Sequence, residues 1–315
     1  MKDFVLTDGG HDTQFRKYNN TDEFDGHPLH MAQFILESPE TYTKVLQDFI
    51  QVGAEMVLTP TYQATIDGFQ EHMGLGREKA LELIKIGVKI ARDAVELEKA
   101  KGNTKPVAVV GVIGPYGAYL HDGSEYQTAS YADHMTTEEL EEWHRPRVEA
   151  LIEAGSDCLI FGTIPALKEA EAFIRVLKQH PGVKAILSFS AQNEQTICHG
   201  ERLSDVAQRC WKLAADQILA IGVNCQHPRF SVPLLRSIKE ANPDIPLFVR
   251  SNSSHERFNT ETYEWELTEN EKTLQEYCRD WLELGVKYIG GCCRTTVDDI
   301  SSFREEIRKF TIKNK

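Results

Sequence analysis

Eight short runs of apolar and β-branched residues punctuate the chain, at 4–8, 56–61, 107–114, 158–163, 185–189, 218–224, 245–249 and 287–292. Each is short and almost continuously apolar, the pattern of a strand buried on both faces. Between them the period lengthens to that of a helix. In 77–99 the residues Ala80, Leu83, Ile84, Ile86, Gly87, Ile90 and Ala91 form one apolar stripe. Further helical stretches are expected at 137–154, 167–179, 204–216, 233–241, 269–284 and 297–309. Pro146 should kink or divide the first of these, because it lacks a backbone donor and crowds the preceding turn.

Strands alternating with helices imply a parallel sheet covered on its outer face. Eight such units predict an α/β fold, a (β/α)8 TIM barrel spanning 1–315 as one domain, since no repeat, low-complexity tract or linker divides the chain. A barrel of this kind needs roughly 250 residues, which leaves room for long loops after strands two and three. The polar stretch 120–136, rich in Gly, Ser, Asp and Tyr, is expected to lie over the barrel mouth. The competing architecture is an open doubly wound sheet, which also binds ligands at the carboxyl ends of its strands.

The composition narrows the partners. A net charge of −13 and the lack of a long basic run argue against nucleic acid and anionic lipid. No apolar stretch approaches the roughly 20 residues that span a bilayer, so no membrane partner is expected. Lys2 and Asp3 precede a short strand-like run without the form of a secretory signal, and the expected location is cytoplasmic. Seven cysteines make an odd number without the spacing of a disulfide scaffold. Cys158, Cys210 and Cys278 lie in strand-like or helix-like segments, where cysteine serves as a small buried hydrophobe.

Cys225 closes the run 218–224, and Cys292-Cys293 close the run 287–291. In a barrel the carboxyl ends of all strands share one face, so these three thiols can converge. Three thiolates would fill three of the four positions that Zn2+ prefers and leave the fourth to a substrate. Neighbouring residues of a strand point to opposite faces, so both Cys292 and Cys293 can reach one ion only where the chain turns, and Gly290-Gly291 would ease such a turn. Two alternatives stand beside this reading: Cys293 as a reactive or merely buried thiol with Cys225 as a core residue, or a Cys-x-His ligand pair formed by Cys225 and His227.

Gly222-Val223-Asn224-Cys225 and Gly290-Gly291-Cys292-Cys293-Arg294-Thr295-Thr296 resemble the two zinc motifs of the homocysteine S-methyltransferase family. Asp8-Gly9-Gly10, Thr61-Tyr62-Gln63-Ala64, Gly114-Pro115-Tyr116-Gly117-Ala118-Tyr119-Leu120, Asp122-Gly123-Ser124-Glu125-Tyr126 and His144-Arg145-Pro146-Arg147 also resemble family segments, so the likeness covers nearly the whole chain. The resemblance implies a zinc-dependent barrel, with Cys225, Cys292 and Cys293 as ligands, that moves a methyl group to homocysteine and forms methionine. The segments Gly-Pro-Tyr-Gly-Ala-Tyr-Leu and Cys-Cys-Arg-Thr-Thr are more similar to the branch that uses S-methylmethionine or S-adenosylmethionine than to the betaine-dependent enzymes.

By the same resemblance Asp8 matches the strand-one carboxylate that binds the ammonium of homocysteine. Its alternative role is a turn-forming Asp before two glycines. Gly162 departs from the pattern: it stands where the family carries a glutamate that also holds the substrate ammonium. Asn252, in a segment that approximates a family Pro-Asn-Ser-Gly-Glu stretch, is a further candidate for substrate contact. The expected chemistry is attack by the acceptor thiolate on a sulfonium methyl, and the neutral thioether leaves without a general acid or base. Gly162 motivates an alternative, a non-catalytic or altered-specificity zinc protein that binds a thiol or selenol. A hydrolase using zinc-activated water is the third reading.

Overall fold

The computed structural model describes residues 4–19, 26–259, 262, 264–268 and 271–314. Eight parallel strands form its centre: β1 (Val5–Leu6), β2 (Met56–Leu58), β3 (Ala108–Ile113), β4 (Cys158–Ile164), β5 (Ala185–Phe189), β6 (Ile218–Asn224), β7 (Leu247–Ser251) and β10 (Tyr288–Gly291). Strands β8 (Glu256–Asn259) and β9 (Glu264–Leu267) pair separately as an antiparallel hairpin. The parallel order is β1-β10-β7-β6-β5-β4-β3-β2. Thr7 bridges Met56 in parallel, and Glu55 N–H donates to Leu6 O at 2.8 Å. These contacts close β1 onto β2, which makes the sheet a barrel and removes the open-sheet alternative.

Strand residues alternate between two apolar layers. Leu58, Val110, Val112, Ile160, Ile186 and Phe248 fill the barrel interior. Their strand neighbours Val57, Val109, Leu159, Phe161, Leu187 and Val249 pack outward against the helices. Burial on both faces is why the strands read as continuous apolar runs. Eight helices cover the outside: Pro39–Val52, Arg77–Ala100, Thr137–Glu153, Leu167–Lys178, Leu203–Ala214, Pro228–Ala241, Leu274–Leu284 and Val297–Lys313. Cys158, Cys210 and Cys278 are buried as expected, and burial pushes the Cys158 thiol up to about 12.

Several boundaries differ from expectation for local reasons. Helix Thr137–Glu153 runs undivided through Pro146. The carbonyl that loses its partner belongs to Glu142, an exposed residue open to water, while the flanking His144 and Arg147 are buried. The helix expected from 233 starts at Pro228, where proline needs no N–H and the His227 ring accepts from Arg229 N–H at 3.3 Å. Strand β7 starts after Pro246 rather than at 245. Positions 269–270, the expected start of the seventh helix, lie outside the described residues. That helix begins behind a capping box of Thr273 and Glu276.

The segments after β2 and β3 are long but structured: Ile66–Met73 is helical, and so are Tyr116–Leu120 and Tyr131–His134. The segment after β3 does lie over the barrel mouth. Ser190 Oγ, at the end of β5, donates to Glu125 O at 2.6 Å. The hairpin after β7 closes another side of the mouth, because Arg294 sits 5.2 Å from the Trp265 ring centre and 3.4 Å from Glu256 Oε2.

Candidate metal centre and active site

The three expected sulfurs meet. Cys225, Cys292 and Cys293 present ligand atoms that all lie within 4.8 Å of one another. Cys225 Sγ is 3.3 Å from Cys293 Sγ, and the Tyr126 hydroxyl is 3.1 Å from Cys225 Sγ. Each cysteine comes from a strand that ends beside β7. Cys225 N–H donates to Arg250 O at 3.0 Å, and Cys292 N–H donates to Ser251 O at 2.7 Å. Both ligand-bearing ends are therefore hung on one strand.

Local backbone geometry aims the side chains. Cys225 has φ of +57°, a left-handed conformation that costs a non-glycine residue about 1 kcal/mol. After β10 the turn falls at Arg294, with φ of +62°, whose N–H donates to Thr13 Oγ1 at 3.1 Å. Gly290 and Gly291 serve close packing rather than the turn. A Cβ at Gly290 would lie 1.9 Å from Thr7 Oγ1, and one at Gly291 would lie 2.2 Å from Thr295 Oγ1.

Electrostatics within the cluster favour a bound cation. The Cys292 thiol is pulled well below its usual range by hydrogen bonds from Cys225 and Cys293, with help from the Arg250 charge. Cys225 is pushed well above it chiefly by its hydrogen bond with Cys292, and Cys293 chiefly by its hydrogen bonds with Cys225 and Cys292, with burial and the neighbouring sulfurs' charge adding to the rise. A dication among the three sulfurs would favour ionisation of each of them. All-sulfur ligation at the barrel mouth suits a soft or borderline metal.

His227 does not join the cluster. Its Nε2 is 3.2 Å from Ser254 O, and its Nδ1 accepts from Arg229 N–H. Both ring nitrogens are occupied by backbone groups, and among the described residues the metal-competent group is the three cysteines. The Cys-x-His arrangement is overturned.

Asn252 lines the chamber, yet its Oδ1 accepts from Cys293 N–H at 3.1 Å, so it holds the second ligand of the pair in place. Asp8 is 0% exposed. Its Oδ2 receives His11 Nε2–H and Leu58 N–H, both at 2.8 Å, and its Oδ1 receives the Arg250 guanidinium at 2.8 Å. Burial works to raise the Asp8 carboxyl; Arg250, His11 and the Leu58 N–H together outweigh it and hold the group below its usual range. Gly162 faces the chamber on a bulged stretch of β4, and a Cβ there would meet only Ile160 Cγ2 at 3.7 Å and Tyr62 Cε2 at 4.0 Å. A side chain at that position has room.

The chamber above the sulfurs has a volume of about 670 Å3 and takes in Tyr62, Tyr126 and Trp265 along with Arg250 and Glu125. It is of the size that small organic substrates occupy. A profile of the homocysteine S-methyltransferase family matches residues 5–307. The chain belongs to this family. It is an enzyme of the type the family describes. It is 38% identical to a betaine-homocysteine S-methyltransferase of Drosophila melanogaster, over 99% of this chain and 96% of the relative. It is 39% identical to homocysteine S-methyltransferase YbgG of Bacillus subtilis, over 86% of this chain and 85% of the relative. Among solved structures, the metallated form of the homocysteine methyltransferase MmuM from Escherichia coli superposes with a TM-score of 0.83 at 33% identity, covering 96% of each chain.

Within this family member, three site residues went unread in the sequence. Arg250 interrupts the apolar strand β7, and a lone cation in a buried strand is a signal that sequence reading can use. His11 and Trp265 carried no such signal, because nothing in the sequence tied a short helix after β1 or a hairpin after β7 to the sulfur cluster.

Proposed function

We propose that this protein is a zinc-dependent methyltransferase that moves a methyl group from a sulfonium donor, S-methylmethionine or S-adenosylmethionine, to the thiol of homocysteine and so forms methionine. The observation that carries the reading is the convergence of Cys225, Cys292 and Cys293 in the lining of one chamber. Their sulfurs would hold the metal, in keeping with the metallated E. coli relative. Zinc held there would supply Lewis acidity to an acceptor thiol that at pKa about 8.5 is only about 3% thiolate at neutral pH.

The protein's own groups supply alignment and charge balance. Asn252 and Thr13 fix the backbone at Cys293 and Arg294, so the cluster is organised before substrate arrives. The Tyr126 hydroxyl lies 3.1 Å from Cys225 Sγ, placed to donate to a metal-bound thiolate, and the Arg250 charge favours Cys292 as thiolate. Tyr62, Tyr126 and Trp265 line the chamber, and aromatic rings attract a positively charged donor. A sulfonium leaves as a neutral thioether, so the reaction needs no proton donor. We place it in the cytoplasm, where thiols stay reduced.

The test is methionine formation from homocysteine with S-methylmethionine, S-adenosylmethionine or betaine, before and after chelation. A sulfonium-dependent, chelator-sensitive rate is expected. A rate with betaine alone would overturn the choice of donor. Stoichiometric zinc with no turnover on any donor would favour the thiol-binding alternative that Gly162 raises.

A further inference from the structure

An amino-acid acceptor brings an ammonium group that must be neutralised once it leaves water, because an unpaired buried charge is costly. The two positions that sequence reasoning assigned to this task do not offer a free carboxylate. The oxygens of Asp8 are bonded to His11, Leu58 and Arg250. Gly162 has no side chain.

Among the described residues, two carboxylates line the chamber, Asp12 and Glu125. Glu125 is 7% exposed, and its Oε2 has no hydrogen-bond partner. Desolvation raises its carboxyl to about 7, with the charges of Asp122 and Glu169 adding to the rise and a hydrogen bond from its own backbone opposing it. The next residue, Tyr126, touches Cys225 Sγ. The phenol of Tyr62 lies in the electrostatic field of both Glu125 and the Cys225 and Cys292 sulfurs, so carboxylate and cluster share one neighbourhood. The backbone around Glu125 is held from two sides. Ser190 Oγ donates to its carbonyl, and a Cβ on Gly117 would lie 2.9 Å from its nitrogen. Asp12 is a weaker candidate, since its Oδ1 already accepts from Thr13 Oγ1.

We propose that Glu125 receives the ammonium group of the acceptor amino acid, a specificity-determining role that rests on the thiol-acceptor reading above. A desolvated carboxylate with one unpartnered oxygen, carried on a fixed backbone, is prepared for a cationic ligand. Pairing restores its charge.

Calorimetry on the zinc-loaded protein tests this with homocysteine and with γ-mercaptobutyrate, the same thiol acid without the ammonium. Glu125→Gln should weaken homocysteine roughly 10- to 100-fold while leaving γ-mercaptobutyrate within about twofold. Glu125→Asp should fall between Gln and the parent, Asp12→Asn should keep the parent preference, and the KM for S-methylmethionine should not move. Unchanged homocysteine affinity in Glu125→Gln would overturn the assignment. So would equal loss of both thiols, a preference lost in Asp12→Asn instead, or a rise in donor KM. Intact binding of γ-mercaptobutyrate shows that a variant is folded. If neither thiol binds the parent protein, the thiol-acceptor reading itself fails.

Discussion

Cys225 is held in a left-handed backbone conformation, and Cys293 takes its N–H partner from a side chain rather than from a neighbouring strand. The first positions sulfur at some cost to local stability, as functional sites often do, and the second fixes it with a satisfied hydrogen bond. Replacing either cysteine with alanine should reduce bound zinc, read by elemental analysis of the purified protein, to well below stoichiometric. His227→Ala should retain the metal, because its ring nitrogens bond backbone groups outside the cluster. Metal lost from His227→Ala but kept in Cys293→Ala would reject the ligand set. Gly162 gives a second prediction at this scale. A glutamate there meets no steric barrier at Cβ and adds a carboxylate to the chamber. Gly162→Glu should therefore tighten homocysteine binding, by up to roughly tenfold and most clearly when Glu125 is Gln. No gain in either background would show that position 162 does not face the acceptor's ammonium.

Elements inherit their placement from buried polar nodes as much as from apolar stripes. Glu169 accepts from Tyr116 N–H, the Tyr131 hydroxyl and His144 Nε2–H, which ties the segment after β3 to two helices. His144 Nδ1 accepts from Arg147, so the ring is neutral, and burial lowers its pKa from 6.5 to about 4. Between those values the unfolded chain binds more protons than the native one, so stability rises with pH. This contribution is complete above pH 6.5, is lost as pH falls toward 4, and is on the order of 3 kcal/mol. Thermal unfolding of His144→Gln should depend less steeply on pH across that window than unfolding of the parent; equal slopes would refute the role. Such nodes also mark where sequence reading stopped. Apolar periodicity located all eight barrel strands, because burial on both faces writes itself into residue type. It missed the helix Pro39–Val52 and the hairpin of β8 and β9, and it misjudged Pro146. In the last case the outcome depended on where Glu142 points, which is a tertiary fact. At the site, the cysteines were legible because thiols at strand ends are unusual. The engagement of Asp8 by Arg250 was not, since it joins residues on two strands separated in the barrel by β10.

At the scale of the whole molecule, the metal centre depends on closure of the barrel. Cys225 follows β6 and Cys292-Cys293 follow β10, with β7 between them accepting a backbone hydrogen bond from each ligand-bearing end. Bringing Cys225 to Cys292-Cys293 in the unfolded chain costs loop-closure entropy that the barrel has already met, so a metal held by all three binds the native state more tightly. Ligand present at 100 times its dissociation constant then stabilises the fold by about 2.7 kcal/mol. For a chain longer than 250 residues each kcal/mol moves the midpoint by roughly 2 °C, so chelation should lower Tm by roughly 5 °C, and Cys293→Ala should show no chelator effect. We further propose that residues 1–315 form one domain, because the barrel closes β1 near the start of the chain onto both β2 and β10. Far-ultraviolet dichroism and tryptophan fluorescence should therefore report one coincident transition, displaced as a whole by zinc. Two separable transitions, only one of them sensitive to metal, would show that part of the chain folds without the ring of strands that assembles the site.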